Sequence, residues 1–392
     1  MINYDNLLCE KIKEVKPSGI RKFFDIAAEM EDVISLSVGE PDFKTPWHVR
    51  QTAIDSLQKG RTCYSPNSGF SILREEIAKY YKRRFNCDYD PLHEVLVTVG
   101  GSEAIDLTMR VLLNPGDEVL IPEPSFVCYK PIAQLSNAIP VAVETREEDG
   151  FKLNPEILKA AITPKTKLLV LPYPNNPTGA VMRRADLEAI ADVIRGTDIL
   201  VLSDEIYGEL TYGEERHVSF ADIDGMHERT VVVGGFSKSY AMTGWRLGYA
   251  LAPAPICAAM TKLHQFAIMC APTTAQYAAI EALKNGDPDI DEMRSEYDMR
   301  RRLVVNGFRS LGFNCFEPEG AFYIFPSIKH TGMTSTEFCE KLLRSKHVAV
   351  VPGNSFGDSG EGFIRVSYSY SIKHITEALE RIKNFISEEL GL

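Results

Sequence analysis

The chain has 392 residues, 44% hydrophobic and 25% charged, which is ordinary for a globular protein and long enough for roughly two domains. Its net charge of −11 and its lack of a basic tract argue against nucleic acid or an anionic membrane as partner, and no run reaches the ~20 apolar residues of a membrane span. The opening Met1-Ile2-Asn3-Tyr4-Asp5 has an early acid and no long apolar core, so no signal peptide is expected and a cytoplasmic location is. The eight cysteines contain no Cys-x-x-Cys pair and the eight histidines no His-x-x-x-His spacing, so neither a metal site nor a redox motif is expected.

Taken in chain order, strands and helices alternate from about residue 45 to 285, a pattern that predicts an α/β protein with a mostly parallel sheet covered on both faces. The first predicted strand, Glu94 to Val99, runs into Gly100-Gly101 and then a helix opening at Ser102. A glycine turn leading into a helix offers free N–H groups and a positive dipole end to an anion. It lacks both the Gly-x-Gly-x-x-Gly fingerprint and the Gly-Lys-Ser/Thr of a P-loop, so a dinucleotide or P-loop nucleotide site is not indicated. Further strands are predicted at Glu118 to Ile121, Leu168 to Leu171, Ile199 to Ser203 and Thr230 to Val233, with Arg246 to Leu251 as an antiparallel addition. Asn285-Gly286-Asp287-Pro288 reads as a turn before a long helix over Asp291 to Leu311. A second region of strands and helices follows: Phe322 to Phe325, Thr336 to Leu343, Val348 to Val351, Phe363 to Ser367 and Ile375 to Leu390.

Polar residues at the ends of the apolar strands carry the chemistry. Lys238 follows Val231-Val232-Val233-Gly234-Gly235, a strand ending in a glycine-rich turn, where a solvated surface lysine is the less natural reading. A buried lysine with a lowered pKa can form a Schiff base with an aldehyde cofactor, and Arg246, eight residues on, offers a permanent planar cation for its phosphate. Pyridoxal phosphate acts as an electron sink only while its ring nitrogen stays protonated, which a neighbouring carboxylate ensures. Asp204, at the end of Ile199 to Ser203, is the candidate, with a helix cap as its alternative role. Tyr207, three residues later, and Asn176, past Leu168 to Leu171, are candidate donors to the ring's phenolic oxygen; Asn176 alternatively belongs to an ordinary Asn-Pro-Thr-Gly turn.

With these residues in view, the chain resembles the class I/II aminotransferases, fold-type I pyridoxal-phosphate enzymes. The likeness runs from Leu36-Ser37-Val38-Gly39-Glu40-Pro41-Asp42-Phe43 through Tyr64-Ser65-Pro66-Asn67-Ser68-Gly69 and Gly234 to Tyr249 to Phe363-Ile364-Arg365-Val366-Ser367. The resemblance implies a three-layer large domain over 45–285 and a smaller α+β domain from 1–44 plus 286–392. It makes Lys238 the Schiff-base lysine and catalytic base, Asp204 the ring-nitrogen partner, and Tyr207 and Asn176 the phenolate donors. Phe126 would stack on the ring, Arg246 with the Gly101 and Ser102 amides would hold phosphate, and Tyr64 would reach the phosphate of a partner subunit, which implies a homodimer. Gly235 stands where many members carry a phosphate-binding serine, and Ser237 is a candidate substitute.

Arg365 would clamp the substrate α-carboxylate through its planar fork, with a Gly39 backbone donor beside it and Asn176 also in reach. The implied reaction is ping-pong transamination between an L-amino acid and a 2-oxo acid such as 2-oxoglutarate. Some relatives place a lysine where this chain has Ser102, a cation suited to acidic side chains. Its absence, and Ile20, Phe322, Tyr323 and Phe325 as an apolar wall, favour aromatic or bulky neutral substrates. Arg21 or Lys22 could instead serve an acidic substrate such as aspartate or an acyl-diaminopimelate, and a carbon–sulfur β-lyase would use the same Lys238, Asp204 and Arg365.

Overall fold

A computed structural model describes residues 2–17, 19 and 30–391 of the chain. The first described strand, β1 (Ile34–Ser35), lies outside the main sheet. The main sheet has seven: β2 (Val95–Thr98), β3 (Glu118–Glu123), β4 (Ile139–Glu144), β5 (Thr166–Leu171), β6 (Leu200–Asp204), β7 (Thr230–Gly235) and β8 (Gly248–Leu251). Their order is β2-β8-β7-β6-β5-β3-β4. From β7 to β4 all pairs are parallel, whereas β8 runs antiparallel to both β2 and β7. The predicted strands all form, with ends shifted by at most two residues. β4 was not among them, because its edge position leaves most of it partly exposed and it contains Pro140.

The strands are near-continuous apolar runs because helices cover both faces. On one face Leu96, Val119, Leu168, Leu202, Val231, Val233 and Ala250 pack against the helices Gly100–Leu112, Tyr129–Leu135 and Ala254–Ala267. Their immediate neighbours Val95, Val97, Val232, Tyr249 and Leu251 face the helices Trp47–Gln58, Ser71–Phe85 and Thr273–Asn285 on the other. Alternation of period two thus decides which helix each strand residue meets. The result is a three-layer α/β architecture.

The C-terminal region builds a separate core. β9 (Tyr323–Ile324), β10 (Val348–Ala349), β11 (Val351–Pro352) and β12 (Ile364–Ser367) form two small sheets, in which β10 pairs with β1 and β12 lies between β11 and β9. The single stretch foreseen at Val348 to Val351 is therefore two short strands that serve different sheets. Ile34 and Leu36 join this core with Val304, Phe308, Phe338 and Ile382. The long helix spans Asp287–Ser310, one turn earlier than foreseen, because Pro288 falls in its first turn, where no N–H is needed. Its Ile290 packs with the main-sheet core and its Met293, Tyr297 and Val304 with the C-terminal core, so one rod is embedded in both. The last helix, Ile372–Phe385, starts early because the Ser371 hydroxyl accepts from the His374 N–H. Among the described residues no helix is long and apolar enough to cross a membrane.

Candidate active site

The carboxyl ends of β3, β5, β6 and β7 open toward one cavity of about 530 Å³. Gly101 and Ser102 reach it from the helix after β2, Phe126 and Tyr129 from beyond β3, and Asn176 from beyond β5. Asp204 and Tyr207 come from the end of β6, Ser237 and Lys238 from the loop after β7, and Arg246 from just before β8. The C-terminal region supplies Tyr323 and Arg365, and the segment after β1 supplies Val38, Gly39 and Glu40. Twelve residues that the sequence singled out therefore meet around one space. Tyr64 does not: it is 80% exposed on its own chain. Ile20, with Arg21 and Lys22, lies outside the described residues.

Lys238 donates from Nζ to the Gly39 carbonyl at 2.6 Å, and its ammonium stands 5.7 Å from the Tyr207 ring centroid and 5.6 Å from that of Phe322. Burial lowers its pKa to about 8; Arg365 and Arg246 push the same way, while Glu40 and Asp204 oppose them. A neutral amine is consequently accessible near physiological pH. Gly39 has no room for a side chain, since a Cβ there would lie 2.2 Å from the Tyr323 hydroxyl.

Asp204 is the buried acid. Its Oδ2 accepts from the Tyr129 hydroxyl at 2.6 Å and its Oδ1 from the Ile206 N–H at 3.2 Å. Burial pushes its pKa up to about 6, with the Tyr129 and Ile206 hydrogen bonds pulling the other way. Tyr207 exchanges a hydrogen bond with Tyr323 at 2.8 Å, hydroxyl to hydroxyl.

Arg365 is only 3% exposed and lies between the rings of Tyr323 and Phe356, 4.6 and 4.8 Å from their centroids. Its Nη1 donates to Asn176 Oδ1 at 2.9 Å and its Nη2 to the Ser37 carbonyl at 2.5 Å. That spends the Asn176 carbonyl and leaves its NH2 as the remaining donor. The Arg365 Nε is buried without a hydrogen-bond partner among the described residues, and none of their carboxylates is paired with the guanidinium. A buried cation without an anion is costly, so the arrangement suits an incoming carboxylate.

Arg246 donates from Nη1 to the Thr243 carbonyl at 3.1 Å, and no ion pair engages it among the described residues. It leans on the glycine turn: a Cβ at Gly100 would meet Arg246 Nη2 at 2.8 Å, and one at Gly248 would meet the backbone of Gly100 and Gly101 at 2.6 Å. The helix Gly100–Leu112 starts there, so the first-turn N–H groups of Gly101 and Ser102 lack intrahelical partners. Cation, free amides and Ser237 form a cradle for a phosphate-sized anion. With the buried Asp204 and the lysine of lowered pKa, the donor set fits pyridoxal phosphate.

Two expectations need adjusting. Phe325 is not a cavity wall: β9 stops at Ile324, ahead of Pro326, and Phe325 stacks on Phe363 at 5.1 Å in the core instead. Phe322 stands behind the cavity, its ring near Lys238 Nζ and packed against the rings of Tyr207 and Tyr323. Sequence reasoning also missed Tyr129, Glu40, Ile206 and Phe356. Tyr129 left a faint signal, an aromatic three residues beyond Phe126, but its partner Asp204 is remote in sequence.

Comparison with known proteins points to one family. The sequence profile "Aminotransferase class I and II" matches residues 31–382. YugH of Bacillus subtilis (strain 168), named as an aminotransferase, is 52% identical over 379 residues, 97% of this chain and 98% of that protein. The aspartate aminotransferase of Pyrococcus abyssi (strain GE5 / Orsay) is 46% identical, with 97% and 99% covered. The crystal structure of an aromatic aminotransferase from Pyrococcus horikoshii OT3 superimposes with a TM-score of 0.90 at 45% identity, covering 94% of this chain and 99% of that one.

Proposed function

Because the chain belongs to the class I and II aminotransferases, pyridoxal-phosphate-dependent transferases, we propose that it moves the amino group of an L-amino acid with an aromatic or bulky neutral side chain to a 2-oxo acid such as 2-oxoglutarate. Pyridoxal phosphate would be held by Lys238, Asp204, Tyr207, Asn176, Phe126, Arg246, Ser237 and the Gly101 and Ser102 amides. When bound, that group supplies an electron sink for the pair released as the substrate's Cα–H bond breaks.

The observation that carries the reading is Arg365, a buried guanidinium without a carboxylate partner among the described residues, sharing a cavity with a lysine whose pKa is lowered. A two-pronged donor on the α-carboxylate fixes the substrate's orientation as well as its position. Lys238, neutral above about pH 8, is then suited to take the α-proton at Nζ. Tyr323 and Phe356 flank the guanidinium and shield it from water.

Substrate preference rests on the charges lining the cavity. Its cations are Lys238, Arg246 and Arg365, each with a role above, and Ser102 adds none for a second carboxylate among the described residues. Val38, Ile105, Pro172, Pro174 and Ile206 leave much of the wall apolar. An aromatic donor is in line with the name of the Pyrococcus horikoshii relative and departs from that of the aspartate aminotransferase. We further read 45–285 as the large domain, 1–44 plus 286–392 as the small one, and the working unit as a homodimer in which Tyr64 enters the partner's site.

The test is a screen of the purified protein with pyridoxal phosphate and 2-oxoglutarate against the common amino acids, measuring glutamate formed. Phenylalanine, tyrosine or leucine should exceed aspartate by at least about tenfold, as loss of a charge partner implies, and double-reciprocal plots should be parallel. Intersecting plots would reject the ping-pong scheme. Pyruvate released from an S-substituted cysteine faster than glutamate from any donor would replace transamination by β-elimination.

A further inference from the structure

We propose that Tyr129 is a positioning residue: its hydroxyl, donating to Asp204 Oδ2 at 2.6 Å while the Ile206 N–H holds Oδ1 at 3.2 Å, fixes the plane of that carboxylate and keeps it in its charged form facing the cavity. The inference rests on the functional reading above, in which Asp204 must stay ionised.

The direction of the bond is set by chemistry, because an ionised carboxylate only accepts. Tyr129 is 2% exposed, and burial followed by the nearby charge of Asp204 pushes its own pKa well above the ordinary phenol value, so it remains an O–H donor across the working pH range. Around the carboxylate stand Glu205 and Tyr207 on its own segment, Cys128 and Tyr129 from the segment beyond β3, and Lys238 from the loop after β7. Among the described residues, Tyr129 is the one side chain that hydrogen-bonds Asp204. Burial favours the protonated acid and this bond favours the anion, so the hydroxyl opposes the main force that would discharge the site.

The arrangement also links two parts of the site. Phe126 meets Tyr129 edge to face, with centroids 6.0 Å apart and planes at 84°. The segment that turns from β3 into the helix Tyr129–Leu135 therefore provides an aromatic wall and, three residues later, the group that orients the acid.

Tyr129→Phe deletes one oxygen and keeps the ring, so the edge-to-face contact survives. In the apoprotein, an infrared titration of the Asp204 carboxyl, assigned by difference against Asp204→Asn, should show protonation at higher pH in the variant than in the parent. In the holoenzyme, the dissociation constant for pyridoxal phosphate should rise by roughly tenfold or more, the scale of a lost hydrogen bond to a charged group. The acid limb of kcat should move upward in pH while the KM for the amino donor stays within about twofold, the pattern of a lost catalytic-step interaction rather than of lost binding. A purely structural role would lower the melting temperature and leave the titration and the acid limb in place; that result overturns the proposal. If the parent binds no pyridoxal phosphate, the functional reading fails, and the infrared titration still decides whether Tyr129 governs the charge of Asp204.

Discussion

Lys238 and Asp204 are both held against their own solvation, and each carries a cost in folding. For Lys238, the folded pKa of about 8 lies below the ordinary 10.5, so the unfolded chain binds more protons between those values. Stability therefore rises with pH across that window, and the penalty of the buried ammonium is fully present below it. Lys238→Met should stabilise the apoprotein at pH 7 by about 1–3 kcal/mol in denaturant unfolding, a gain that shrinks toward pH 10.5, while abolishing transamination. Asp204 has the opposite shift: its folded pKa of about 6 exceeds 3.8, so its contribution is most favourable below pH 3.8 and is lost as pH rises through 6. Asp204→Asn keeps an acceptor for Tyr129 and should stabilise the apoprotein at pH 7 by about 1–3 kcal/mol, with the gain gone in acid. The same variant should retain pyridoxal phosphate poorly in equilibrium dialysis. Both residues were legible in the sequence because each stands at or just past the end of an apolar strand. Tyr129, Glu40 and Phe356 were not, because their meaning lies in partners brought close only by the fold.

Among the elements, the junction of β8 with the glycine turn is closely packed. A Cβ on Gly248 would come within 2.6 Å of backbone atoms of Gly100 and Gly101, which cannot rotate away as a side-chain tip can. Gly248→Ala should therefore displace the turn that starts the helix Gly100–Leu112, costing about 2–4 kcal/mol as overpacking against backbone. It should also weaken phosphate binding, seen as a lower melting temperature together with a higher dissociation constant for pyridoxal phosphate. The strands of the main sheet other than β4 could be read from their apolar runs, since both faces are buried. Boundaries were harder wherever a turn residue also suits a helix start, as Pro288 does in Asp287–Ser310. The small sheets escaped accurate reading for a related reason: strands of two residues, such as β10 and β11, are too short for any period to be visible.

For the molecule as a whole, the exposed apolar residues are unevenly spread. Tyr64 and Phe266 are 80% and 81% exposed, and Ile268 and Met269 are 44% and 45%. These segments are tied together, for Asn67 Nδ2 donates to the Met269 carbonyl and Thr273 Oγ1 to the Cys63 carbonyl, both at 2.8 Å. Exposed apolar residues on segments tied together in this way are where the proposed homodimer would associate, and they include the tyrosine expected to cross between subunits. Phe266→Glu should convert the protein to a monomer in sedimentation velocity and weaken its hold on pyridoxal phosphate, whereas a parent that already sediments as a monomer would remove the need for Tyr64 in a neighbouring site.

The position of β8 bears on how the protein is made. In the sheet, β2 pairs with β8 alone, yet β8 is the last of the seven strands to emerge from the ribosome. Until Leu251 has been synthesised, the amides and carbonyls of β2 that β8 will pair are exposed, open to pairing with other chains. A nascent polypeptide halted anywhere before that residue should be vulnerable to aggregation and dependent on chaperone holding, and competence to capture the vitamin should arise abruptly once that strand slots into place.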